Sequence, residues 1–261
     1  MKLSDVTPLL LTFNEEANLD RTLGALAWAS RIVLVDSGST DGTLDIAQRH
    51  SAVDVLERPF DNFAAQRNFG LDAVETPWTL SLDADHRVGE TLATELEGLE
   101  PGDRQAFTAR FQFYVWGQPV RCAILPPRPV LLMTRCCRYE VDGHAEKLLV
   151  PGAVGTLDAR IAHDDRKPLS RWVGSQDRYA RQEADKLAGG QRLSVADRIR
   201  RHPWLAPLTV FFHVLLLKGG ILEGRRGWFY AYQRLLAELN LALHQLDDQG
   251  QKALRDEGHG G

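Results

Sequence analysis

The sequence predicts an α/β protein whose mostly parallel sheet is covered by helices on both faces. Short apolar runs alternate with helical patterns over the first ninety residues, which is the arrangement of a doubly wound α/β domain. The runs are apolar at successive positions, as expected of parallel strands buried on both faces. Polar side chains follow three of these runs, and ligands of such sheets bind beyond the carboxyl ends of the strands.

Four strands and the helices between them can be placed in this first part. The predicted strands are LLLTF at 9–13, IVLVD at 32–36, VDVLE at 53–57 and WTLSLDAD at 78–85. Helices are predicted from about Glu15, from about Asp41 and over 63–74. Strands and helices therefore alternate regularly up to residue 85.

After Pro101 the pattern changes to one of half-buried strands. In QAFTARFQFYVWG at 105–117, apolar and polar residues alternate, which is typical of a strand with one buried face. Further strands are predicted at 129–134, 146–150 and 153–162, and a mainly polar helix over 170–187. The second part is therefore expected to extend the sheet before the chain becomes helical.

Composition and charge exclude some classes of protein. The chain has 261 residues, of which 44% are hydrophobic, and a formal net charge of -4. This balance argues against a general nucleic-acid binder. The first residues lead into only a short apolar run, and no stretch reaches the roughly 18 to 20 apolar residues of a spanning helix. We therefore expect a cytoplasmic protein with no nucleic-acid partner.

The C-terminal third has a different character. Between 198 and 234 there are seven Lys or Arg residues and one acid, Glu223. The segment RIRRHPWLAPLTVFFHVLLLKGG at 198–220 puts a basic cluster directly before a mostly apolar stretch. Such a segment could lie in a membrane interface with its arginines on anionic head groups. Ordinary packing on the α/β core is the alternative, because Trp228 and Tyr232 begin an apolar repeat at helical spacing.

Two aspartates end the fourth predicted strand. In TLSLDAD at 79–85, the alternation places Asp83 and Asp85 on one face of the strand. Two like charges so placed repel each other unless an arginine, a shifted pKa or a bound cation relieves them. Other polar residues also cluster at strand ends, namely Thr12, Asn14, Glu15, Asp36 and Ser37. The carboxyl edge of the sheet is therefore the predicted site.

The turn after the second strand does not match the common nucleotide-binding patterns. VDSGSTDGT at 35–43 combines glycines for tight turns with capping side chains for the next helix. It contains neither GxGxxG nor GxxxxGK[ST]. A dinucleotide fold and a P-loop are therefore not supported.

Four motifs together resemble a known family. They are LTFNEEANLDRTL at 11–23, VLVDSGSTDGT at 33–43, AAQRNFGLDAV at 64–74 and LSLDADHRV at 80–88. In this order and spacing they resemble the nucleotide-sugar domain of the inverting GT-A glycosyltransferases, the second glycosyltransferase family. EKLLVPGAVGTLDARIAH at 146–163 and KGGILEGRRGWFYA at 218–231 resemble the lipopolysaccharide inner-core glucosyltransferases within it. The resemblance implies a Rossmann-like GT-A fold.

The resemblance also implies roles for individual residues. Those that would bind the nucleotide sugar are Thr12, Asn14, Glu15, Asp36, Ser37, Arg67 and Asp83. Asp85 would be the principal ligand of Mg2+ or Mn2+, with Asp83 and His163 as further metal ligands. The divalent ion would stabilise the charge on the departing diphosphate. Each residue also has an ordinary interpretation: Asp36 could cap a helix, and Arg67 could lie on a helix surface.

An inverting transfer needs a base for the proton of the acceptor hydroxyl. Members of the family often carry His-Glu before an apolar strand, whereas this chain reads GHAEKLLV. Glu146 therefore matches the glutamate, but Ala145 stands where the histidine is expected and His144 lies one residue earlier. Glu146 is the expected base and Asp142 the reserve candidate.

The resemblance implies a metal-dependent inverting transfer of a hexose, with glucose as the expected sugar, from a UDP-sugar. The acceptor would be a lipid-linked saccharide such as the lipopolysaccharide inner core, and the enzyme would sit on the cytoplasmic face of the inner membrane. The expected domains are a catalytic domain at 1–190, with a nucleotide-sugar half at 1–100 and an acceptor half at 101–190, and a C-terminal amphipathic helical segment at 191–261. A sugar-nucleotide pyrophosphorylase and a non-catalytic sugar-nucleotide sensor or membrane scaffold are the alternatives.

Overall fold

The computed structural model describes residues 1–142, 145–189 and 195–258. The strands in this part are β1 Val6–Thr12, β2 Ile32–Asp36, β3 Val53–Glu57, β4 Trp78–Asp83, β5 His86–Arg87, β6 Arg104–Val115, β7 Gln118–Val120, β8 Arg128–Met133, β9 Arg138–Asp142, β10 Ala145–Leu149 and β11 Ala153–His163. The α-helices are α1 Leu19–Ala25, α2 Thr43–Gln48, α3 Phe63–Asp72, α4 Glu90–Gly98, α5 Leu169–Ala188, α6 Val195–Arg200, α7 Ala206–Phe212 and α8 Arg225–Gly258.

Nine of the described strands form one sheet in the order β3-β2-β1-β4-β8-β6-β11-β5, with β7 paired to β6. The first four strands in this order are all parallel, as the sequence predicts. β8 is antiparallel to both β4 and β6, whereas β6 and β11 are parallel. Strands β9 and β10 form a separate two-stranded sheet. The predicted α/β class with a parallel first half is confirmed.

Helices cover both faces of the parallel strands. Successive strand residues join different apolar clusters: Leu10 packs with α1 and α4 on one face, and Leu9 packs with α3 on the other. Gly70 lets α3 come close to the sheet, because a Cβ atom there would lie 2.3 Å from Leu9 Cδ1. Truncating a fully buried leucine in such a core costs about 2 to 5 kcal/mol. The two buried faces explain why the strands are apolar at successive positions.

Helix α1 begins at Leu19 rather than near Glu15. Asn14 adopts a left-handed backbone with φ of 55°, and its N–H donates to Ser39 Oγ at 2.7 Å. The N–H of Glu15 donates to Thr43 Oγ1 at 2.6 Å. These bonds tie the residues after β1 to the turn after β2, so the helix can start only after this turn.

The described chain forms two compact units. The first comprises Met1–Pro119, Leu125–Val141 and the chain from Ala145 to Lys167, and the second contains Val120–Ile124, Asp142 and the chain from Pro168 onward. Along the chain, the first unit ends at Lys167 and the second resumes at Pro168. The predicted boundary at 190/191 lies outside the described residues, so the catalytic and C-terminal domains as drawn from the sequence stay a prediction.

The second unit is helical. Its apolar contact between α5 and α8 is formed by Ala180, Ala184, Leu187 and Leu241. The predicted apolar segment is not one helix: α7 continues as a π-helical turn over His213–Leu217, and a 3₁₀ turn follows at Gly220–Glu223. Gly219 and Gly224 have φ of 74° and 57°, which breaks the helix on either side of the 3₁₀ turn. Within the described residues, no helix has the length and apolar character needed to cross a membrane.

Candidate active site

The candidate site lies at the carboxyl edge of the sheet, where strand register brings polar residues together. Thr12 at the end of β1 pairs with Asp36 at the end of β2, and Leu11 pairs with Asp83 at the end of β4. The chain then turns directly into β5, where His86 lies opposite His163 of β11. Residues 77 positions apart in sequence therefore meet beside the two aspartates.

Three side chains form a group that could hold a metal ion. Ligand atoms of Asp85, His86 and His163 all lie within 4.8 Å of one another. His163 Nε2 is 3.7 Å from Asp85 Oδ2, and His86 Nε2 is 3.8 Å from Asp85 Oδ1. Asp85 Oδ1 is buried and makes no hydrogen bond within the described chain. A buried carboxylate oxygen without a donor is costly on its own, so the group fits a cation.

His86 is the member of this group that the sequence did not predict. It is buried, and its Nδ1 accepts the backbone N–H of Asp83 at 3.0 Å. Burial lowers the pKa of His86 despite the attraction of Asp83 and Asp85, which favours the neutral ring. With Nδ1 accepting, neutral His86 carries its proton on Nε2, 3.3 Å from His163 Nδ1. An ion bound at Nε2 of His86 would displace this proton, so metal affinity and protonation would be linked.

Arg67 relieves the repulsion between the two aspartates. It projects from α3, is buried, and binds Asp83 Oδ1 through Nη2. Its Nε donates to Glu146 Oε1 at 2.7 Å, and its guanidinium lies 5.6 Å from the centre of the Tyr139 ring. Desolvation alone would raise the pKa of Asp83, but the charge of Arg67 holds it well below its ordinary value. The sequence allows an arginine, a shifted pKa or a bound cation to relieve this pair of aspartates. For Asp83, the arginine is Arg67.

The same contacts define the surroundings of Arg67 and Glu146. Burial disfavours the charged guanidinium, but Asp83 and Glu146 together raise the pKa of Arg67 above its ordinary value. The resemblance places Arg67 against the nucleotide, and the structure places it between two carboxylates. A direct contact between Arg67 and the nucleotide stays a prediction, as does the role of Glu146 as a base.

A second, partly buried ion pair lies close to Asp85. Lys167 Nζ is 2.6 Å from Glu15 Oε1 and 3.5 Å from Asp165 Oδ1. Burial raises the pKa of Glu15 to about 7; Lys167 opposes this shift and the charge of Asp85 adds to it. Lys167 is 152 residues from Glu15, and sequence analysis missed it. The only signal was its position shortly after IAH in a run of charged residues, HDDRK at 163–167.

Asp36 is fully buried within the turn that follows β2. Thr12 Oγ1 donates to its Oδ1 at 2.9 Å, and the N–H groups of Gly38 and Ser39 donate to its Oδ2 at 2.9 and 2.7 Å. Asn14 Oδ1 accepts the N–H of Thr40 at 2.6 Å and extends this network. These bonds show that Asp36 shapes the turn. Its contact with a nucleotide stays a prediction.

The structure brings most of the predicted residues to one place. The residues that meet at the carboxyl edge of the first unit are Thr12, Asn14, Glu15, Asp36, Ser37, Arg67, Asp83, Asp85, Glu146 and His163. The reserve base Asp142 instead pairs with Lys186 in the second unit at 2.9 Å. His144, one residue from the expected histidine, lies outside the described residues.

Comparisons with known proteins agree with this geometry. Residues 9–115 match the model of glycosyl transferase family 2. The lipopolysaccharide core biosynthesis glycosyltransferase LpsC of Rhizobium meliloti is 33% identical in an alignment of 245 residues that covers 87% of this chain and 89% of LpsC. An uncharacterized glycosyltransferase of Rickettsia bellii is 30% identical over 93 residues, 35% of this chain and 31% of that protein. The chain therefore spans about a third of that second relative.

A solved structure supports the fold. A mannosyltransferase from Pyrobaculum calidifontis, in complex with GDP-Man and Mn2+, has a TM-score of 0.58 and 16% sequence identity. The similarity covers 94% of this chain and 87% of the mannosyltransferase. The family and fold that the sequence motifs predict are confirmed: the chain belongs to glycosyl transferase family 2, has the GT-A fold and resembles a lipopolysaccharide core glycosyltransferase.

Proposed function

We propose that this glycosyltransferase moves a hexose, with glucose as the first candidate, from a UDP-sugar to a lipid-linked saccharide such as the lipopolysaccharide inner core. The observation that carries the proposal is the group of Asp85, His86 and His163 at the carboxyl edge, with one buried oxygen of Asp85 left without a donor. LpsC supports the acceptor class by its name. The mannosyltransferase neighbour, which holds a nucleotide sugar and Mn2+, supports the donor class.

Asp85 and His163 would hold the divalent ion, which would supply positive charge for the departing diphosphate. A carboxylate suits hard ions, whereas imidazole suits transition metals. The mixed ligand group therefore favours Mn2+ over Mg2+. Lys167 would add a second positive charge, because both Glu15 and Asp85 hold its side chain in the protonated form against the effect of burial.

The transfer would be a single displacement that inverts the anomeric centre. Glu146 would take the proton of the acceptor hydroxyl as its oxygen bonds to the anomeric carbon and the bond from that carbon to the diphosphate breaks. A positioned base contributes roughly 10² to 10⁴ in rate. Arg67 would orient Glu146 by holding Oε1 at 2.7 Å, while the same guanidinium fixes Asp83.

UDP release from UDP-glucose in the presence of Mn2+ tests the function directly. Wild-type protein is expected to hydrolyse the donor slowly without acceptor, and Asp85→Asn is expected to lose this Mn2+-dependent activity. Asp45→Asn, at an exposed position on α2, is the matched control and should retain it. A panel that includes GDP-mannose identifies the donor.

The same experiment separates the alternative functions. Formation of UTP from UDP-glucose and pyrophosphate would identify a pyrophosphorylase and contradict the transferase. Tight binding of UDP-glucose without any turnover, in the presence of a lipid-linked acceptor, would identify a sensor. The comparisons favour neither of these alternatives, and the transferase remains the best supported function.

We also propose that the second unit binds the cytoplasmic surface of the inner membrane. Four large side chains around the turns between α7 and α8, here called the 216–222 surface, are exposed: Leu216 (55%), Leu217 (80%), Ile221 (48%) and Leu222 (89%). Lys218, Arg225 and Arg226 lie next to them in the chain. Exposed apolar side chains among basic residues are typical of segments that lie in an anionic membrane interface. Such a location would bring the enzyme to a lipid-linked acceptor.

Vesicle binding tests this part of the proposal. The variant Leu217→Glu/Leu222→Glu should bind vesicles with anionic lipids much more weakly than wild type. Leu254→Glu is the matched control, because Leu254 is also exposed and lies about 40 Å from Arg225 along α8, at 1.5 Å per residue. Equal binding of wild type and the double variant would show that the 216–222 surface does not contact lipid.

A further inference from the structure

The turn between β6 and β7 presents a tryptophan in an unusual backbone conformation. Trp116 has φ of 52° and its side chain is 61% exposed. Only one other non-glycine residue of the described chain, Asn14, has positive φ. Asparagine tolerates the left-handed region, whereas a bulky aromatic residue is a true outlier there. The conformation costs about 1 to 3 kcal/mol and is kept only where the surroundings impose it.

This turn follows a strand that contacts the candidate site. Phe113 of β6 pairs with His163 of β11, and their rings stack at 5.1 Å with planes 24° apart. Trp116 follows three residues later, just after β6 ends, so its Cα lies within about 10 Å of the Phe113 Cα at 3.3 Å per strand residue. The turn therefore directly follows the strand that contacts His163, a member of the candidate metal group.

A second contact anchors the turn on the loop after β11. The guanidinium of Arg166 lies against Gly117, where an added Cβ atom would overlap with Nη2. Arg166 is held by both carboxylate oxygens of Asp164, at 2.8 and 2.9 Å. The N–H of Asp164 in turn donates to the backbone oxygen of Asp85 at 3.1 Å. The turn therefore lies against the loop that follows His163 and contains Lys167.

The order of strands separates Trp116 from the predicted nucleotide-binding residues, with the candidate metal group between them. The predicted nucleotide-binding residues lie at the ends of β1 and β2, on one side of β4, whereas β6 and β11 lie on the other side. The candidate metal group stands between these two regions, because Asp85 follows β4 and His163 ends β11. A saccharide that reaches the metal group from the side of β6 would pass Trp116.

We propose that Trp116 is a stacking platform for a saccharide ring of the acceptor. The C–H groups on one face of a pyranose form a flat apolar surface, and an exposed indole offers a large, rigid surface with a negative face. Single exposed apolar residues are common and need no function. Here the positive φ of Trp116 and the close approach of Arg166 to Gly117 distinguish this position from such residues, since the backbone conformation is kept at a cost. The proposal rests on the proposed function.

Steady-state kinetics of full-length Trp116→Ala and Trp116→Phe test the platform. We expect Trp116→Ala to raise the KM for a lipopolysaccharide acceptor about tenfold, as a contact worth about 1.4 kcal/mol would. Trp116→Phe should retain most of the acceptor affinity because it keeps a flat ring. UDP-glucose hydrolysis without acceptor should be unchanged in both variants. Leu254→Ala, which also removes an exposed apolar side chain, is the control and should leave the acceptor KM unchanged.

Two further measurements keep the outcome decisive. Trp116→Gly should raise Tm, because glycine adopts this φ without strain, whereas a purely structural tryptophan would lower Tm on removal. Quenching of tryptophan fluorescence by a deacylated core oligosaccharide should be smaller in Trp116→Phe than in wild type. An unchanged acceptor KM together with unchanged quenching overturns the platform. Wild-type protein without UDP-glucose hydrolysis or transfer instead overturns the proposed function, and the quenching still decides the role of Trp116.

Discussion

The candidate site and the 216–222 surface depart from the usual distribution of side chains in opposite directions. At the site, the first unit buries charged groups such as Arg67 and Glu15. At the 216–222 surface, the second unit exposes leucines, among them Leu217 and Leu222. A buried charge needs a partner within the fold, whereas a group of exposed apolar side chains indicates a partner outside it. Substitutions should therefore change the stability of the fold at the first region and hardly at the second.

The largest loss of stability is expected for Arg67→Met. The substitution leaves Asp83 and Glu146 without their shared cation. Breaking a fully buried pair costs about 3 to 5 kcal/mol, and because the Asp83 side chain is 37% exposed, we expect a loss toward the lower end of this range. Urea unfolding monitored by circular dichroism measures the effect. Arg31→Met, which breaks a pair on the surface with Asp54, is the control and should cost about 1 kcal/mol or less. Equal losses for the two variants would contradict the central role of Arg67.

A pH-dependent effect of intermediate size is expected from Glu15. The fold raises its pKa from 4.5 to about 7. Below the lower value, Glu15 is protonated in the folded and unfolded states alike. As the pH rises between these values, the unfolded state loses the proton first, so the free energy of unfolding falls; above about 7 this contribution stays lost.

Comparison of wild type with Glu15→Gln isolates this contribution, because glutamine cannot titrate. The metal-free wild type should lose stability relative to Glu15→Gln as the pH rises from 5 to 7, as measured by urea unfolding in steps of pH. A constant difference between the two proteins over this range would show that the folded-state pKa of Glu15 is not raised.

A smaller effect of opposite sign is expected for Asp85→Asn. Without metal, the substitution removes a negative charge close to Glu15 and replaces a buried, charged oxygen that accepts no hydrogen bond by a neutral amide. It should therefore leave stability unchanged or raise it by about 1 kcal/mol, the scale of one unsatisfied buried group. Mn2+ should raise the Tm of wild type but not of this variant. A large loss of stability in Asp85→Asn would show that Asp85 supports the fold rather than an ion.

The smallest effect on stability is expected at the 216–222 surface. Leu217→Glu/Leu222→Glu changes two exposed side chains, and such substitutions usually alter stability by no more than about 0.5 kcal/mol each. Its Tm in solution should match that of wild type, while addition of anionic vesicles should separate the two proteins. A clear loss of Tm without vesicles would show that these leucines pack within the unit.

The strands and helices of the first ninety residues could be predicted because each buried strand is an uninterrupted or nearly uninterrupted run of apolar residues. Strand β2 occupies the predicted range 32–36, and α3 begins at the predicted Phe63. The start of α1 was wrong by about four residues, since Asn14 and Glu15 bond to the following turn instead of beginning a helix. These hydrogen bonds are made with Ser39 and Thr43, which follow β2. The sequence around Asn14 and Glu15 therefore does not reveal them.

The candidate site could be predicted in part. Asp85 and His163 were found because they stand at strand ends in a known motif order. His86 and Lys167 were not found: His86 matters because β5 pairs with β11, and Lys167 because it reaches Glu15 from the far end of the unit. Pairing of distant segments has no local signal in a single sequence. The contact of Arg67 with Glu146 depends on the same kind of long-range packing.

Gly70 links the packing of α3 on the sheet to the position of Arg67 at the candidate site. Helix α3 carries Arg67 one turn before Gly70, so the distance between helix and sheet sets how far the guanidinium extends toward the edge. A methyl group at position 70 would push the helix outward against Leu9 and draw the arginine back from both carboxylates. We therefore expect Gly70→Ala to lower enzymatic activity as well as stability, through an apolar contact between α3 and β1.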